Sequence, residues 1–232
     1  MTTNTSIPTL DGADSIPAYV ATPSGTPRGA IIVIQEVFGV NPGIRKKADN
    51  WAAQGYIAVA PDVFWRQKPD VELDPDIPEQ FQEGIGYFMK HDFDLGTQDV
   101  EAVIHWIRRD QGVSKVGLVG FCMGGRIAYL AATRTDIDAA VGYYGTGIDQ
   151  ILNESHAIAK ALLLHIPTAD GFVTPDAQQA MHAALDGNPH VTLFDYEGLD
   201  HGFASEMGKR RNETGAQLAD KRTAEFFAQH VG

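Results

Sequence analysis

Short apolar runs alternate with amphipathic stretches along this chain. Gly29-Ala-Ile-Ile-Val-Ile-Gln35 is continuously apolar, the pattern of a strand buried on both faces of a parallel sheet. From Asn41 to Gln54, Ile44, Ala48, Trp51 and Ala52 share one helical face, with Pro42 near the start and Gly55 just past the end. The alternation then continues. Tyr56 to Ala60 predicts a strand, Leu95 to Arg109 a helix with Val100, Val103, Ile104 and Ile107 inward, and Lys115 to Val119 a further strand before the helix-like Gly125 to Ala132. Strands are also predicted at Ala139 to Tyr143, Ala161 to Ile166 and Val191 to Tyr196, with helices at Pro175 to Leu185 and from about Thr214 to His230. Ser15 to Ala21 predicts an early strand paired antiparallel with residues 5 to 10 across the Asp11-Gly12 turn. Such a series implies an α/β fold: a mostly parallel sheet flanked by helices on both faces, with the active site at the carboxyl ends of the strands. Residues 62–92, rich in Asp, Pro and Gln, are expected to be one long irregular connection forming part of a pocket wall.

With 232 residues, 44% of them hydrophobic, the chain can bury a sizeable core, and residues 1–232 are expected to form one domain. A formal charge of -12 argues against nucleic-acid or anionic-membrane partners, which require clustered positive charge. Lys209-Arg210-Arg211 is too short to change that and is expected to be a solvated loop. The N-terminal residues 1–14 lack a basic and an apolar leader segment, no apolar run approaches the roughly 18 residues of a membrane span, and a lone cysteine permits no internal disulfide. A cytoplasmic location is the expectation.

That cysteine, Cys122, stands in Gly120-Phe-Cys-Met-Gly124 between a predicted strand and a predicted helix. The arrangement matches the G-x-S-x-G elbow of α/β-hydrolases with sulfur in place of oxygen, and a helix N-terminus favours the thiolate. The elbow needs a histidine after a later strand. His201 follows Val191 to Tyr196 and precedes Gly202, which leaves room for the ring to reach over the sheet. His165 lies in an apolar strand and belongs to the core; His182, His190 and His230 read as surface or helix residues. For the acid, Asp176 follows Thr174 and Pro175 and is explained by a helix N-terminus, whereas Asp170 has no such local explanation and is preferred. Asp200 is the outsider. Glu36 ends a strand that should be buried, where an ionised carboxylate is costly without partners. The expectation is that it meets the thiol.

Taken together, Gln35-Glu-Val-Phe-Gly-Val-Asn41, Pro61-Asp62, Lys115 to Gly125, Ala140-Val-Gly-Tyr-Tyr-Gly145 and Asp200-His-Gly-Phe203 make the chain resemble the dienelactone hydrolase (carboxymethylenebutenolidase) family over nearly its whole length. The resemblance implies an α/β-hydrolase fold and a triad of Cys122, His201 and Asp170. Glu36 would contact the thiol and take its proton once substrate binds, and the backbone N–H groups of Val37 and Met123 would form the oxyanion hole. Members acting on dienelactone hold its carboxylate with two arginines. The matching positions here are Phe81 and Ser205, so a neutral ester should be processed at least as well as its carboxylated analogue unless Arg66, Arg126 or Lys209 compensates. Phe38, Phe81, Tyr144, Phe203 and Ser205 are the candidate pocket residues.

The reading is a cysteine hydrolase that cleaves a small-molecule ester or lactone through a thioester, as a monomer or small homo-oligomer. A thioesterase or carbon–carbon bond hydrolase on the same triad is the first alternative. A thiol protein that binds or is oxidised without turnover is the second, and the absence of a resolving cysteine weighs against its dithiol form. No metal or organic cofactor is indicated: there is no metal-ligand spacing, and Gly142 to Gly147 is only a partial glycine pattern.

Overall fold

The computed structural model describes residues 3–232, so the first two residues of the stretch read for a leader lie outside it. Eight strands and six helices follow one another as β1 (Thr5–Pro8), β2 (Ser15–Ala21), β3 (Ala30–Ile34), α1 (Pro42–Ala53), β4 (Ile57–Pro61), α2 (Pro78–Met89), α3 (Phe93–Asp110), β5 (Val116–Phe121), α4 (Met123–Arg134), β6 (Ala139–Tyr143), β7 (Ala161–Pro167), α5 (Pro175–Leu185), β8 (Val191–Tyr196) and α6 (Glu213–His230). A 3-10 segment, Ile148–Ala157, lies between β6 and β7. The sheet order is β1-β2-β4-β3-β5-β6-β7-β8, antiparallel at β1/β2 and β2/β4 and parallel elsewhere.

Both sheet faces are covered, which is why the central strands read as unbroken apolar runs. Ile32, Ile34, Leu118 and Ala140 pack with Val100, Val103 and Ile104 of α3, Ile127 of α4 and Met181 of α5. On the other face Ile31, Val33, Val119 and Val141 pack with Ile44, Ala48 and Trp51 of α1 and Phe227 of α6. Local signals set the ends of these elements. Asn41 caps α1 by accepting from Ile44 N–H at 3.1 Å, Pro42 opens it, and Gly55 beyond its end has φ 96°. Among the described residues no helix is long and apolar enough to cross a membrane.

Two stretches differ from the sequence expectation. Residues 62–92 contain α2, whose Phe81, Ile85 and Phe88 fall on one helical face, and Gly39 pairs with Glu72 in an isolated bridge. The 3-10 segment at Ile148–Ala157 was likewise not expected; its kink at Ile151 breaks any helical period.

The joint between β5 and α4 is built on close backbone approach. A Cβ on Gly120 would stand 1.9 Å from the Gly124 carbonyl oxygen, and one on Gly124 2.7 Å from the carbonyl oxygens of Ile34 and Gln35. Neither position can carry a side chain. Gly120→Ala should therefore cost more than about 4 kcal/mol, the range of a broken structural constraint. Gly86→Ala in α2, where a Cβ meets nothing within 4 Å, should be neutral or stabilising by up to about 1 kcal/mol. Urea unfolding of both variants checks this; similar midpoints would sink the argument.

Candidate active site

Cys122 stands at the tip of the β5–α4 joint with φ 57° and ψ −116°, a strained left-handed conformation for a residue with a side chain. Backbone bonds hold it there. Its N–H donates to the Tyr143 carbonyl at 3.0 Å, and its own carbonyl accepts from Gly125 at 2.9 Å and from Thr146 at 3.4 Å. The side chain is half-buried and in no disulfide.

His201 follows β8 and turns at Gly202, whose φ of 77° suits glycine. Its Nδ1 lies 2.9 Å from Asp170 Oδ2 and 3.1 Å from Oδ1. The Asp170 carboxylate is buried and also accepts the N–H groups of Phe172 at 2.7 Å and Val173 at 3.1 Å. An acceptor of this kind holds the proton on Nδ1 and leaves Nε2 for chemistry. Burial opposes a charge on the ring, but negative charge on Cys122 when its thiol is ionised and the hydrogen bond to Asp170 outweigh it and raise His201 from the usual 6.5 to about 10. The ring is packed between Tyr144, at 4.9 Å between centroids, and Phe172, at 4.8 Å.

Of the competing acids, Asp176 sits in the first turn of α5, where Thr174 caps the helix. Asp200 accepts the N–H groups of Gly171 at 3.0 Å and His201 at 2.7 Å, so it shapes the loop and does not touch the ring nitrogens. His165 is a core residue, with Nδ1 2.7 Å from the Tyr196 hydroxyl and Nε2 2.9 Å from Thr223 Oγ1. Burial drives its pKa well below the ordinary value, so it stays neutral.

Glu36 is buried at the end of the segment after β3, but its partners differ from the expected thiol. Oε1 accepts from the Tyr144 hydroxyl at 3.2 Å and Oε2 from the Ser205 hydroxyl at 2.9 Å. Two hydroxyl donors satisfy the carboxylate from both sides. Burial and the charge of Glu36 hold the Tyr144 hydroxyl well above its usual pKa, so it remains a donor. Tyr144 itself has φ 40°, a second strained residue beside the site.

Glu36, Val37, Phe38, Phe81, Cys122, His201 and Ser205 share one cavity of about 280 Å³. Tyr144 and Phe203, expected in its wall, are not part of it. Tyr144 lies behind Glu36 and His201, and Phe203 packs against Tyr144 and Tyr196 at 5.6 and 4.9 Å in the core beneath. The N–H groups of Val37 and Met123 donate to no protein acceptor among the described residues. Sequence reasoning missed Ile85 and Phe88 of α2, Phe172, Thr146 and Gln150, all in the wall. The spacing of Phe81, Ile85 and Phe88 was the available signal. Lys209 and Arg210, expected to be a solvated loop, line the mouth; Arg66 is bound to Asp99 at 2.7 Å instead. Helix α2 approaches the loop after β3 at Gly84, where a Cβ would stand 2.5 Å from the Val37 carbonyl oxygen. Among the described residues no group of His, Cys, Asp and Glu gathers to hold a metal ion.

The chain is similar to known proteins of one family over nearly its whole length. A profile of the dienelactone hydrolase family matches residues 16–231. The chain is similar to a candidate carboxymethylenebutenolidase of Azospirillum brasilense, 39% identical over 99% of this chain and 100% of that one. It is 34% identical to the carboxymethylenebutenolidase of Pseudomonas putida, over 98% and 97% of the two chains. A candidate dienelactone hydrolase solved from Klebsiella pneumoniae subsp. pneumoniae MGH 78578 superimposes with a TM-score of 0.83 at 29% identity, covering 97% of each chain.

The charge balance at His201 can be measured. Wild-type ring nitrogens, followed by NMR, should stay protonated to about pH 10, because both neighbours favour the charged form. Cys122→Ser removes the thiolate, so the titration midpoint should move down. An unchanged midpoint would mean that the thiol carries no charge beside the ring.

Proposed function

Because this chain belongs to the dienelactone hydrolase family and is a hydrolase of lactone or ester bonds, we propose that it works through a Cys122, His201 and Asp170 triad and a thioester acyl-enzyme. The observation that carries this reading is the convergence of a strained cysteine and a carboxylate-bound histidine on one largely apolar cavity. Apolar walls exclude water and strengthen the electrostatic contacts made inside.

The Cys122 thiolate adds to the substrate carbonyl, and the carbonyl electron pair moves onto oxygen, where the N–H groups of Val37 and Met123 meet it. Collapse expels the alcohol oxygen, which takes the proton of His201, and leaves the acyl group on sulfur. Forming the thioester also consumes the thiolate charge, a main support of the imidazolium. The ring that results is neutral and less basic than in the resting site, and being unprotonated it can take a proton from water. Water adds with its proton passing to His201, the thiolate leaves, and the acid is released. Asp170 holds the ring in one tautomer through both halves. On the alternative route implied by the family resemblance, in which the resting thiol is neutral, Glu36 takes its proton only after exchanging the Ser205 or Tyr144 hydroxyl for the sulfur.

Alkylation with iodoacetamide should abolish hydrolysis, and saturating substrate should slow the loss, because Cys122 is the only thiol. Full activity after stoichiometric alkylation would end the cysteine-hydrolase reading. His201→Ala should lower kcat by at least about 10²-fold, the lower range for a positioned base. In steady-state assays Asp170→Asn should cost more than Asp176→Asn; the opposite order would move the acid to the α5 N-terminus.

A further inference from the structure

Of the two rings packed on His201, Tyr144 is buried outside the cavity, whereas Phe172 lines the cavity and keeps 47% of its surface exposed. Phe172 meets the imidazole edge-to-face, with centroids 4.8 Å apart at 64°. Its backbone is tied down by the same groups that hold the histidine. The Phe172 and Val173 N–H groups both donate to Asp170 Oδ1, at 2.7 and 3.1 Å, and the Gly171 N–H donates to Asp200 Oδ1 at 3.0 Å. Arg210 closes the outer side: its Cζ stands 5.5 Å from the Phe172 ring centroid, and its Nη1 lies 3.6 Å from Asp200 and 3.5 Å from the His201 carbonyl. A fixed aromatic ring is thus left open towards the cavity. A single exposed apolar side chain on an outer surface needs no explanation, but one anchored in a site wall offers a ligand a rigid apolar surface.

The chemistry decides which part of a substrate meets that surface. On the proposed mechanism the leaving oxygen takes its proton from His201, so it must lie within hydrogen-bond reach of the imidazole. The alcohol part therefore starts beside His201. Phe172, Gly202, Lys209 and Arg210 are the lining residues nearest to it in structure or sequence, and Gly202 carries no side chain to block the way. The remaining apolar wall comes from elsewhere in the chain: Phe81, Ile85 and Phe88 of α2, with Phe38 5.8 Å from Phe81 between centroids. That wall adjoins Val37 through Gly84, on the side proposed for the carbonyl oxygen. Two separate apolar surfaces serve the two ends of an ester.

We propose that Phe172 is a specificity-determining residue for the leaving group, and that the preferred substrates are esters whose alcohol part carries an aromatic ring. An aromatic ring adds an offset or edge-to-face contact with Phe172 to the burial that any apolar group would gain. Lys209 and Arg210 are exposed at this end, so it opens to solvent. The aromatic alcohol leaves there first, and water takes its place beside His201. The inference rests on the role given to His201 above.

Benzyl butanoate and propyl phenylacetate are isomers that carry the same ring on the alcohol side and on the acyl side. Phe172→Leu keeps apolar bulk against His201 and should lower the kcat/KM ratio of benzyl butanoate to propyl phenylacetate by about fivefold, as expected for a lost aromatic pair. Phe172→Met should do the same and carries the test if the leucine variant does not fold. Phe172→Tyr should keep the wild-type ratio, and Phe81→Leu should raise it. If Phe172 only steadied His201, both isomers would slow alike and the ratio would stay put; that result overturns the proposal. Hydrolysis of neither isomer by wild type, or of propyl phenylacetate alone, overturns it as well. Alkylation of Cys122 tells the two readings apart. Hydrolysis that survives alkylation with a ratio still dependent on Phe172 would sink the cysteine mechanism and keep the leaving-group subsite, whereas hydrolysis lost on alkylation with a ratio indifferent to Phe172 would do the reverse.

Discussion

The site depends on backbone meeting backbone where a side chain would normally intervene. Gly120, Gly124 and Gly125 bring the start of α4 against β5, the end of β3 and the loop after β6, with would-be Cβ contacts of 1.9 to 2.7 Å. This contact puts Cys122 in its left-handed conformation and aims it away from the sheet. It also fixes where Met123 and Arg126 begin their helix. The proposed nucleophile and the proposed oxyanion donor are thus consequences of one joint.

Around that joint, polar groups from distant segments complete one another's hydrogen bonds. Glu36 from the β3 end is closed by Tyr144 from the β6 end and Ser205 from the loop after β8. Tyr144 also packs on His201, and His201 is held by Asp170. A buried carboxylate so enclosed needs no cation in contact with it to be tolerated. Each of these four loops follows the carboxyl end of a parallel strand. The topology, with β3, β5, β6, β7 and β8 side by side, is what lets them converge.

Much of this was legible because burial on both sheet faces writes itself into sequence as short apolar runs. Ser15–Ala21, Ala139–Tyr143 and Val191–Tyr196 have the expected ends. Asp170 could be preferred to Asp176 because Thr174-Pro175 explained the latter by a helix cap, and the structure places Asp170 on His201. What stayed hidden was tertiary. Helix α2 was masked by Asp, Pro and Gln around it, although Phe81, Ile85 and Phe88 have helical spacing. The hydroxyl partners of Glu36 lie more than 100 residues away along the chain, beyond the reach of any local pattern. Tyr144 and Phe203 are aromatic and close to the motifs, and only packing separates a wall residue from one behind it.

The approach of α2 to the catalytic loop at Gly84 ties recognition to rate. The carbonyl that Gly84 touches and the N–H proposed for the oxyanion belong to the same residue, Val37. Phe81, Ile85 and Phe88 on that same helix line the cavity. If the Val37 N–H is that donor, an acyl group that pushes the helix outward removes the packing that steadies it, and one that fills the space under the helix keeps that packing. On the proposed mechanism, discrimination among substrates would then be written into turnover as much as into affinity, with Gly84 as the fulcrum.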